Sequence, residues 1–362
     1  MGAVYENRLC ALRELLDGEC EALLLSREVN IGYFTGFFHS EGCLLVTRSR
    51  AVLLVDFRYF EAAQKKAAGC EVVCFKSLSE SIGDILSAES VARVCGEAND
   101  LTVNRCELLR KKLGERQITL IADGRLDRRI GELRLIKHPS ELVHIASAQK
   151  IAEQAYCETL NYIKPGVSER AIAARLEYEM KLRGAEDVSF SLITVTGKKT
   201  SLPHGVPSDD KVAEGDFFTC DFGAVVEGYH SDTTRTVAVG FATDEMREVY
   251  SVVLRAQLAA LDTVKPGVTC AQADKTARDI ISAAGYGEYF GHSTGHGVGL
   301  DIHELPFVSS KSDTVLREGM VITDEPGIYL PGKFGVRIED MLAVTSDGVH
   351  NFVNLPKDLI IL

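Results

Sequence analysis

The sequence predicts an α/β domain followed by an α+β domain that is built from two related halves. Three observations support this prediction. The chain has 362 residues, which is more than one typical hydrophobic core organises. Strand and helix patterns alternate through its first third, and the remaining part contains a sequence repeat. We expect the first domain at residues 1–123, a linker at residues 124–136 and the second domain at residues 137–362.

The composition is that of an ordinary globular protein, with 46% hydrophobic and 25% charged residues. The net charge of −12 argues against nucleic acid as the main partner, because phosphate binding needs clustered Lys and Arg. The start has no apolar signal core, and no stretch is long enough to span a bilayer. The sequence therefore predicts a cytoplasmic protein without a membrane partner.

The elements of the first domain follow from short apolar runs that alternate with amphipathic stretches. We expect helices at residues 5–16, 57–68, 78–87 and 104–113, and strands at residues 22–25, 43–47, 51–55, 71–75, 91–95 and 117–122. His39 is expected to be a loop residue rather than a ligand. Residues 125–163 have a helical pattern that is interrupted before Pro139, and this proline marks a fresh helix start.

A repeat divides the second domain into two halves. Residues 162–168 read Tyr-Ile-Lys-Pro-Gly-Val-Ser, and residues 263–269 read Thr-Val-Lys-Pro-Gly-Val-Thr. The Ser or Thr that ends each copy is suited to cap a following helix. Each half then contains a His-Gly pair, at His204 and at His296, and ends with two carboxylates in strand patterns. We expect two helix–helix–hairpin units related by a pseudo-twofold axis, with these histidines as equivalents.

The carboxylates of each half are expected to face one another. Asp221 and Asp232 flank a predicted hairpin as cross-strand partners, which would place their Cβ atoms about 5 Å apart. Glu325 and Glu339 repeat the arrangement in the second half. Like charges this close are destabilising unless a positive charge lies between them. Since the flanking residues are apolar, we favour a buried metal site over salt-bridged surface pairs.

His296 is the best candidate for a nitrogen ligand to such a site. Gly295, Gly297 and Gly299 surround it and allow other groups to approach closely. A phosphate-binding loop is the alternative interpretation of this glycine run, but the Lys-Ser/Thr of a P-loop is missing. Oxygen-rich sites with one imidazole suit Mn, Co or Zn, and four carboxylates can hold two ions.

Six short motifs follow one another in the second domain. They are Pro203-His204-Gly205, Asp221-Phe222-Gly223, Ser231-Asp232-Thr233-Thr234-Arg235-Thr236, residues 292–300 from His292 to Leu300, Glu325-Pro326-Gly327-Ile328-Tyr329 and Arg337-Ile338-Glu339-Asp340. Together they resemble the pita-bread metallopeptidases, peptidase family M24, and most closely the branch of Xaa-Pro aminopeptidases and Xaa-Pro dipeptidases (prolidases). Residues 30–37 resemble the creatinase-type N-terminal domain of that branch. The chain departs from the family pattern at Asp324, where an apolar residue is usual, and at Met341, where an acidic residue is common.

The resemblance implies a creatinase-like α/β N-terminal domain, an α+β pita-bread catalytic domain and roles for individual residues. Two divalent metal ions, with Mn expected first and Co or Zn as alternatives, would be bound by Asp221, Asp232, His296, Glu325 and Glu339. The other implied roles are Glu325 as proton shuttle, His204, His292 and His303 as stabilisers of the tetrahedral intermediate, Arg337 as the residue that orients Glu339, and Tyr329 as a support of the pocket.

The resemblance also implies an activity and a set of partners. It implies a dinuclear metal-dependent peptidase that hydrolyses the bond between an N-terminal residue and proline in short peptides, as a homodimer. Two alternatives stay open at this stage. One is a catalytically inactive, peptidase-like module that only binds peptides. The other is a methionine-aminopeptidase-like enzyme, which is less favoured because those enzymes resemble only the second domain.

Overall fold

The computed structural model describes residues 2–38 and 41–362, so the expectation for His39 lies outside the described residues. The chain divides into two compact units, Met1–Arg134 and Leu135–Leu362. Among the helices of these described ranges, none is both long and apolar enough to cross a membrane.

The first unit contains a six-stranded sheet with helices between its strands. The strands are β1 (Ala22–Leu25), β2 (Cys43–Val46), β3 (Ala51–Val55), β4 (Glu71–Cys74), β5 (Arg93–Gly96) and β6 (Thr119–Ile121). The helices are α1 (Gly2–Arg13), α2 (Glu28–Thr35), α3 (Phe57–Lys66), α4 (Leu78–Ala88), α5 (Val103–Gly114) and α6 (Arg125–Arg134). The strand order is β4-β3-β2-β1-β5-β6, with β2 antiparallel to both of its neighbours and the other pairs parallel. The expected α/β elements are confirmed, with small displacements at their ends.

Residues 125–134, which have a helical pattern in the sequence, form α6, and its buried positions Leu126, Ile130 and Arg134 recur every four residues. Helix α2 was not expected at all. Its residues 30–35 are all buried, so it lacks the polar face by which an amphipathic helix is recognised.

The second unit combines four long helices with short antiparallel strands. The helices are α7 (Pro139–Leu160), α8 (Glu169–Leu182), α9 (Asp244–Thr263) and α10 (Cys270–Ala283). The strands are β7 (Asp187–Val188), β8 (Ile193–Thr196), β9 (Phe217–Phe222), β10 (Ala224–Val226), β11 (Tyr229–His230), β12 (Thr233–Ala238), β13 (Gly295–Gly297), β14 (Glu304–Val308), β15 (Val321–Asp324), β16 (Gly327–Leu330), β17 (Phe334–Arg337), β18 (Asp340–Val344) and β19 (Val349–Asn351). Helix α7 begins at Pro139, as predicted, and His138 and Glu141 form a capping box at its start.

The internal repeat is confirmed by matching contacts in the two halves. Helix α7 packs on α8, and α9 packs on α10. Strands β8, β9 and β12 form one antiparallel set, and β13, β15 and β18 form the equivalent set. The backbone N–H of Gly166 donates to Val212 O in the first half. At the equivalent place in the second half, the N–H of Gly267 donates to Leu316 O. Ser168 and Thr269 cap α8 and α10 with their side chains.

The strand register shows which residues of the two halves are equivalent. The backbone hydrogen bonds from Gly215 N to Val239 O and from Gly319 N to Val344 O occupy equivalent places and align the two halves. Counting along the β9–β12 and β15–β18 ladders from these bonds makes Asp221 equivalent to Glu325. The same ladders align Thr234 with Glu339 and Asp232 with Arg337. The sequence prediction that Asp232 and Glu339 are equivalent was therefore wrong by two residues.

The predicted equivalence of His204 and His296 was also wrong. Strands β8 and β13 are the matching elements, and their pairing with β9 and β15 makes Val195 the counterpart of His296. His204 lies further on, in a turn that follows the 3-10 helix Gly197–Ser201. Both halves contain a His-Gly pair, but the two pairs are not at equivalent positions. His296 lies within β13, whereas the 3-10 helix separates His204 from β8.

Equivalent residues of the two halves meet in what we call the central seam, formed by Thr234, Arg235, Glu339 and Asp340. Glu339 N donates to Thr234 O at 3.1 Å. The Arg235 guanidinium donates to Asp340 Oδ1 at 2.8 Å and to the backbone oxygens of Thr234 and Glu339. The side chains of Arg235 and Asp340 are 3% and 0% exposed. The seam therefore holds the two halves together through a buried ion pair and backbone hydrogen bonds.

We predict that Arg235→Met destabilises the fold strongly. The change leaves Asp340 buried with one cation fewer, and loss of one partner of a buried pair typically costs about 3–5 kcal/mol of unfolding free energy. Urea denaturation of the whole chain, followed by circular dichroism, measures this. The control is Arg170→Met, which removes an exposed pair with Asp209 and should cost no more than about 1 kcal/mol. Equal costs for both variants would contradict the role of the central seam.

Candidate metal centre

Asp221 and Asp232 come from one hairpin of the first half. Asp221 lies near the end of β9, and Asp232 directly precedes β12. Glu227 and Gly228 form the turn with positive φ values of 50° and 75°, as two-residue hairpin turns require. This turn places Asp221 opposite Thr234. The prediction of directly opposed aspartates was wrong by two residues, and the two are diagonal neighbours on the same face of the hairpin.

Glu325 and Glu339 occupy the corresponding hairpin of the second half. The β15–β18 ladder ends with Asp324 opposite Asp340, and the β16–β17 ladder begins with Gly327 opposite Arg337. Both ladders share one register, which sets Glu325 opposite Glu339. The sequence expectation of facing carboxylates is met in this half.

His296 lies in β13 with its imidazole directed at carboxylates of both halves. Its Nε2 is 3.5 Å from Asp232 Oδ2 and 3.3 Å from Glu325 Oε1. Its Nδ1 is 3.1 Å from Gly297 O. A carbonyl oxygen only accepts, so Nδ1 carries the proton of the neutral ring and Nε2 presents its lone pair to the carboxylates. Burial lowers the pKa of His296, which keeps the ring neutral.

Two glycines beside His296 permit the close packing of this strand. A Cβ atom at Gly295 would lie 2.0 Å from Thr323 O, and one at Gly297 would lie 2.2 Å from Leu305 O. Any side chain at either position would push the neighbouring backbone away. The glycine run is thus explained by close backbone approach, as the sequence suggested.

The donor set fits divalent cations. Ligand atoms of Asp232, His296 and Glu339 lie within 4.8 Å of one another, and these residues are 5%, 7% and 1% exposed. Asp221 Oδ1 is buried and has no hydrogen-bond partner among the described residues. A lone pair on His296 and an unpartnered carboxylate oxygen are two acceptors that a bound cation would satisfy.

The pKa values of the acidic groups are raised first by burial and then by the charges of neighbouring carboxylates. Burial raises the pKa of Asp232 well above its ordinary value, and the charges of Asp221 and Glu325 raise it further. Burial and the charge of Asp232 do the same for Glu339. Burial raises the pKa of Glu325 to about 7. Without added positive charge the site therefore retains protons, whereas divalent cations would allow full ionisation.

Arg337 connects the site to its surroundings. Its guanidinium donates to Asp221 Oδ2 at 2.6 Å, to Tyr329 OH at 2.8 Å and to Thr234 Oγ1 at 2.9 Å. Thr234 Oγ1 donates in turn to Glu339 Oε2 at 2.7 Å. We expected Arg337 to orient Glu339; it reaches that residue through Thr234. The sequence predicted no role for Thr234, because an uncharged hydroxyl is not recognised as a candidate metal ligand.

All nine predicted site residues line one cavity of about 500 Å³. They are Asp221, Asp232, His296, Glu325, Glu339, His204, His292, His303 and Arg337. Apolar side chains complete the wall, among them Phe190, Leu192, Ile193, Val206, Ile302 and Phe307. The cavity therefore joins an acidic, histidine-rich end to an apolar surface.

The three further histidines differ in their surroundings. The His303 ring packs edge-on against His296, with ring centres 4.3 Å apart, and burial lowers its pKa. His204 lies in an exposed turn. His292 Nδ1 is 2.8 Å from Ser293 O and its Nε2 is 2.9 Å from Tyr329 OH, while burial lowers its pKa to about 4. Both nitrogens of His292 are engaged, which favours support of Tyr329 over donation to a substrate.

The two departures from the family pattern lie outside the cavity wall. Asp324 is 2% exposed, and its Oδ2 accepts from Gln257 Nε2 at 3.2 Å. Gln257 donates also to Asp340. Met341 is fully buried. Asp324 thus belongs to a buried polar network beside the central seam rather than to the ligand set.

Two family models match the chain. Residues 143–346 match the metallopeptidase family M24. Residues 8–135 match the creatinase/prolidase N-terminal domain. Together they cover both units, and the family implies that divalent metal ions serve the site described above.

Individual relatives are similar along almost the whole chain. The Xaa-Pro dipeptidase of Pyrococcus horikoshii is 39% identical over 99% of both chains. A solved structure of a Xaa-Pro dipeptidase from Bacillus anthracis has a TM-score of 0.95 at 40% identity and covers 99% of this chain and 100% of its own.

A second solved structure, the X-Pro aminopeptidase from Thermotoga maritima, has a TM-score of 0.89 at 35% identity and covers 98% of this chain and 99% of its own. The predicted fold class is therefore confirmed: a creatinase-like α/β unit precedes a pita-bread α+β unit with a pseudo-twofold repeat. On this evidence the chain belongs to metallopeptidase family M24.

Proposed function

We propose that this protein is a dinuclear metal-dependent peptidase that hydrolyses the bond between an N-terminal residue and proline in short peptides. The observation that carries the proposal is the convergence of four carboxylates and the His296 lone pair on one cavity. The names of its relatives, Xaa-Pro dipeptidase and X-Pro aminopeptidase, support the choice of the scissile bond.

The metal ligands in this proposal are Asp221, Asp232, His296, Glu325 and Glu339. Mn²⁺ is the first choice because a site with many carboxylate oxygens and one imidazole suits it, with Co²⁺ and Zn²⁺ as alternatives. Bound divalent ions supply Lewis acidity toward the scissile carbonyl and toward a water molecule.

Glu325 is the proton carrier. Its carboxylate lines the cavity beside His296, where it can take a proton from water and pass it on. The proline nitrogen must gain a proton to leave as an amine, and Glu325 supplies it. Thr323 Oγ1 donates to Glu325 Oε1 at 3.1 Å and holds the carboxylate toward the cavity.

His303 and His204 stabilise the negative charge that develops on the carbonyl oxygen. His303 has a lowered pKa, so it is neutral and can donate through one ring N–H. Its contact with His296 fixes the ring beside the ligand cluster. His204 lines the same cavity from the turn after the 3-10 helix. His292 acts through Tyr329.

The apolar part of the cavity accommodates the proline ring. Proline has no backbone N–H and its ring fixes φ near −65°, so recognition depends on shape rather than on a hydrogen bond. Ile193, Ile302 and Phe307 offer such a wall beside the acidic cluster.

The cytoplasmic location and the homodimer remain predictions. Light scattering on the purified chain would test whether it is a dimer.

We predict selectivity for proline in the second position. Ala-Pro, Ala-Pro-Ala and Ala-Ala-Ala should be compared with the same Mn²⁺-loaded preparation, by quantifying released alanine. At least one proline peptide should be cleaved with a much higher kcat/KM than Ala-Ala-Ala, because the apolar wall and the acidic cluster fit a tertiary amide. If Ala-Ala-Ala is cleaved with the same kcat/KM as the proline peptides, the predicted selectivity for proline is wrong, and the protein is a metallopeptidase without that selectivity.

We predict that Glu339→Gln abolishes activity and preserves the fold. The change keeps the shape of the side chain and removes a ligand charge, so turnover should fall by more than the roughly 10–100-fold typical for loss of an outer-shell partner. Glu318→Gln, at an exposed position of the same unit, is the matched control. Bound metal should be counted by atomic emission. Full metal content with normal turnover in Glu339→Gln would sink the ligand assignment.

We predict that Mn²⁺ stabilises the protein more at higher pH. The pKa of Glu325 is about 7 in the folded chain against an ordinary value of 4.5, so the folded state retains a proton that the unfolded state releases. The stability from this proton is fully present below about pH 4.5 and is lost as the pH rises through about 7. Added Mn²⁺ replaces the proton, and it binds better as ligands ionise.

Calorimetric melting of chelator-treated protein, with and without Mn²⁺, tests this linkage at about pH 5.5 and about pH 8. The gain in melting temperature on adding Mn²⁺ should be larger at the higher pH. In Glu325→Gln, which has no proton to lose, the difference between the two pH values should shrink. A gain that is independent of pH in the wild-type chain is the contrary result.

A further inference from the structure

The hydroxyl of Thr234 lies between Arg337 and Glu339 inside the second unit. Arg337 Nε is 2.9 Å from Thr234 Oγ1, and Thr234 Oγ1 is 2.7 Å from Glu339 Oε2. Thr234 is fully buried, so water does not compete for its hydroxyl. It is the counterpart of Glu339 in the other half of the repeat.

The chemistry of the neighbours fixes the direction of both hydrogen bonds. A guanidinium nitrogen only donates, so Thr234 Oγ1 accepts from Arg337. The single hydroxyl proton is then directed at Glu339 Oε2. This bond occupies one oxygen of the Glu339 carboxylate and leaves Oε1 for other partners.

The position of Thr234 on the central seam explains why a hydroxyl stands there. Glu339 N donates to Thr234 O, so the two counterparts face each other directly across the seam. Two carboxylates at these places would repel each other in a buried setting. A threonine replaces that repulsion with a hydrogen bond.

Thr234 also links ligands from the two halves. Asp221 lies opposite Thr234 in the β9–β12 ladder, and Arg337 donates to Asp221 Oδ2 at 2.6 Å. Asp221, Arg337, Thr234 and Glu339 are therefore joined in one continuous chain of contacts. Removing the hydroxyl would break that chain between Arg337 and Glu339.

We propose that Thr234 is a positioning residue that holds the Glu339 carboxylate in place for metal binding. The inference rests on the proposed function, in which Glu339 is a ligand. Outer-shell hydrogen bonds of this kind orient ligands and typically change metal affinity by about 10–100-fold. Thr234 itself touches neither the metal nor the substrate in this proposal.

The competing role for Thr234 is ordinary stabilisation by one buried hydrogen bond. Thr194 offers the matched comparison, because it is fully buried in the neighbouring part of the same sheet. Its hydroxyl donates to Glu169 O at 3.0 Å, away from the proposed ligands. Thr194→Val and Thr234→Val therefore each remove one buried hydroxyl, and only the second removes a contact with Glu339.

The experiment measures Mn²⁺ affinity by isothermal titration calorimetry for wild type, Thr234→Val, Thr234→Ser and Thr194→Val, with kcat and KM on Ala-Pro-Ala as a second readout. We expect the dissociation constant of Thr234→Val to rise about 10–100-fold and kcat to fall more than KM changes. Thr234→Ser keeps the hydroxyl and should recover most of the affinity. Thr194→Val should bind Mn²⁺ as the wild type does.

Three results would overturn the inference. Wild-type Mn²⁺ affinity in Thr234→Val is the first, and equal impairment of Thr234→Ser and Thr234→Val is the second. If Thr234→Val does not fold, Thr234→Ala takes its place, and wild-type affinity in that variant is the third. A wild-type chain that binds no Mn²⁺ at all would instead remove the proposed function, and this inference with it.

Discussion

Mutual repulsion among buried carboxylates is the constraint on which the second unit depends. Asp232 and Glu339 are almost completely buried. Burial raises the pKa of both groups, and the charges of Asp221 and Glu325 raise it further. Neighbouring side chains offset part of this negative charge. Arg337 neutralises part of the charge, Thr234 and Thr323 donate hydrogen bonds, and the remaining acceptors are left for cations.

The repeat provides the geometry for this compensation, but not with equal residues. Both halves supply an antiparallel set of three strands, and both place a carboxylate at the Asp221 and Glu325 positions. At the next two pairs of matching positions they diverge. The first half has Asp232 and Thr234 where the second has Arg337 and Glu339. As a result, Arg337 of the second half pairs with Asp221 of the first, and Thr234 of the first half donates to Glu339 of the second.

Most of the fold could be predicted because its signals are local: apolar runs, a proline at a helix start and a repeated Lys-Pro-Gly-Val. The residue types proposed as metal ligands followed from the motifs. The relative positions of Asp221 and Asp232 did not, because their strand register depends on the turn at Glu227 and Gly228. The positive φ values of that turn cannot be inferred from the alternation of apolar and polar residues. Helix α2 lacks a polar face, and the contacts of Thr234 join positions 105 residues apart. Neither has a local signal.

The hydrogen bond between Thr234 and Glu339 has a consequence for the ancestry of the fold. In an assembly of two identical half-length chains, the positions that now hold Thr234 and Glu339 would carry the same residue. Such an assembly would offer two facing hydroxyls or two facing carboxylates, never one of each. A hydroxyl paired with a carboxylate at these equivalent positions requires the two halves to be encoded separately. The present site could therefore arise only after the half-length gene had been duplicated and its two copies had diverged.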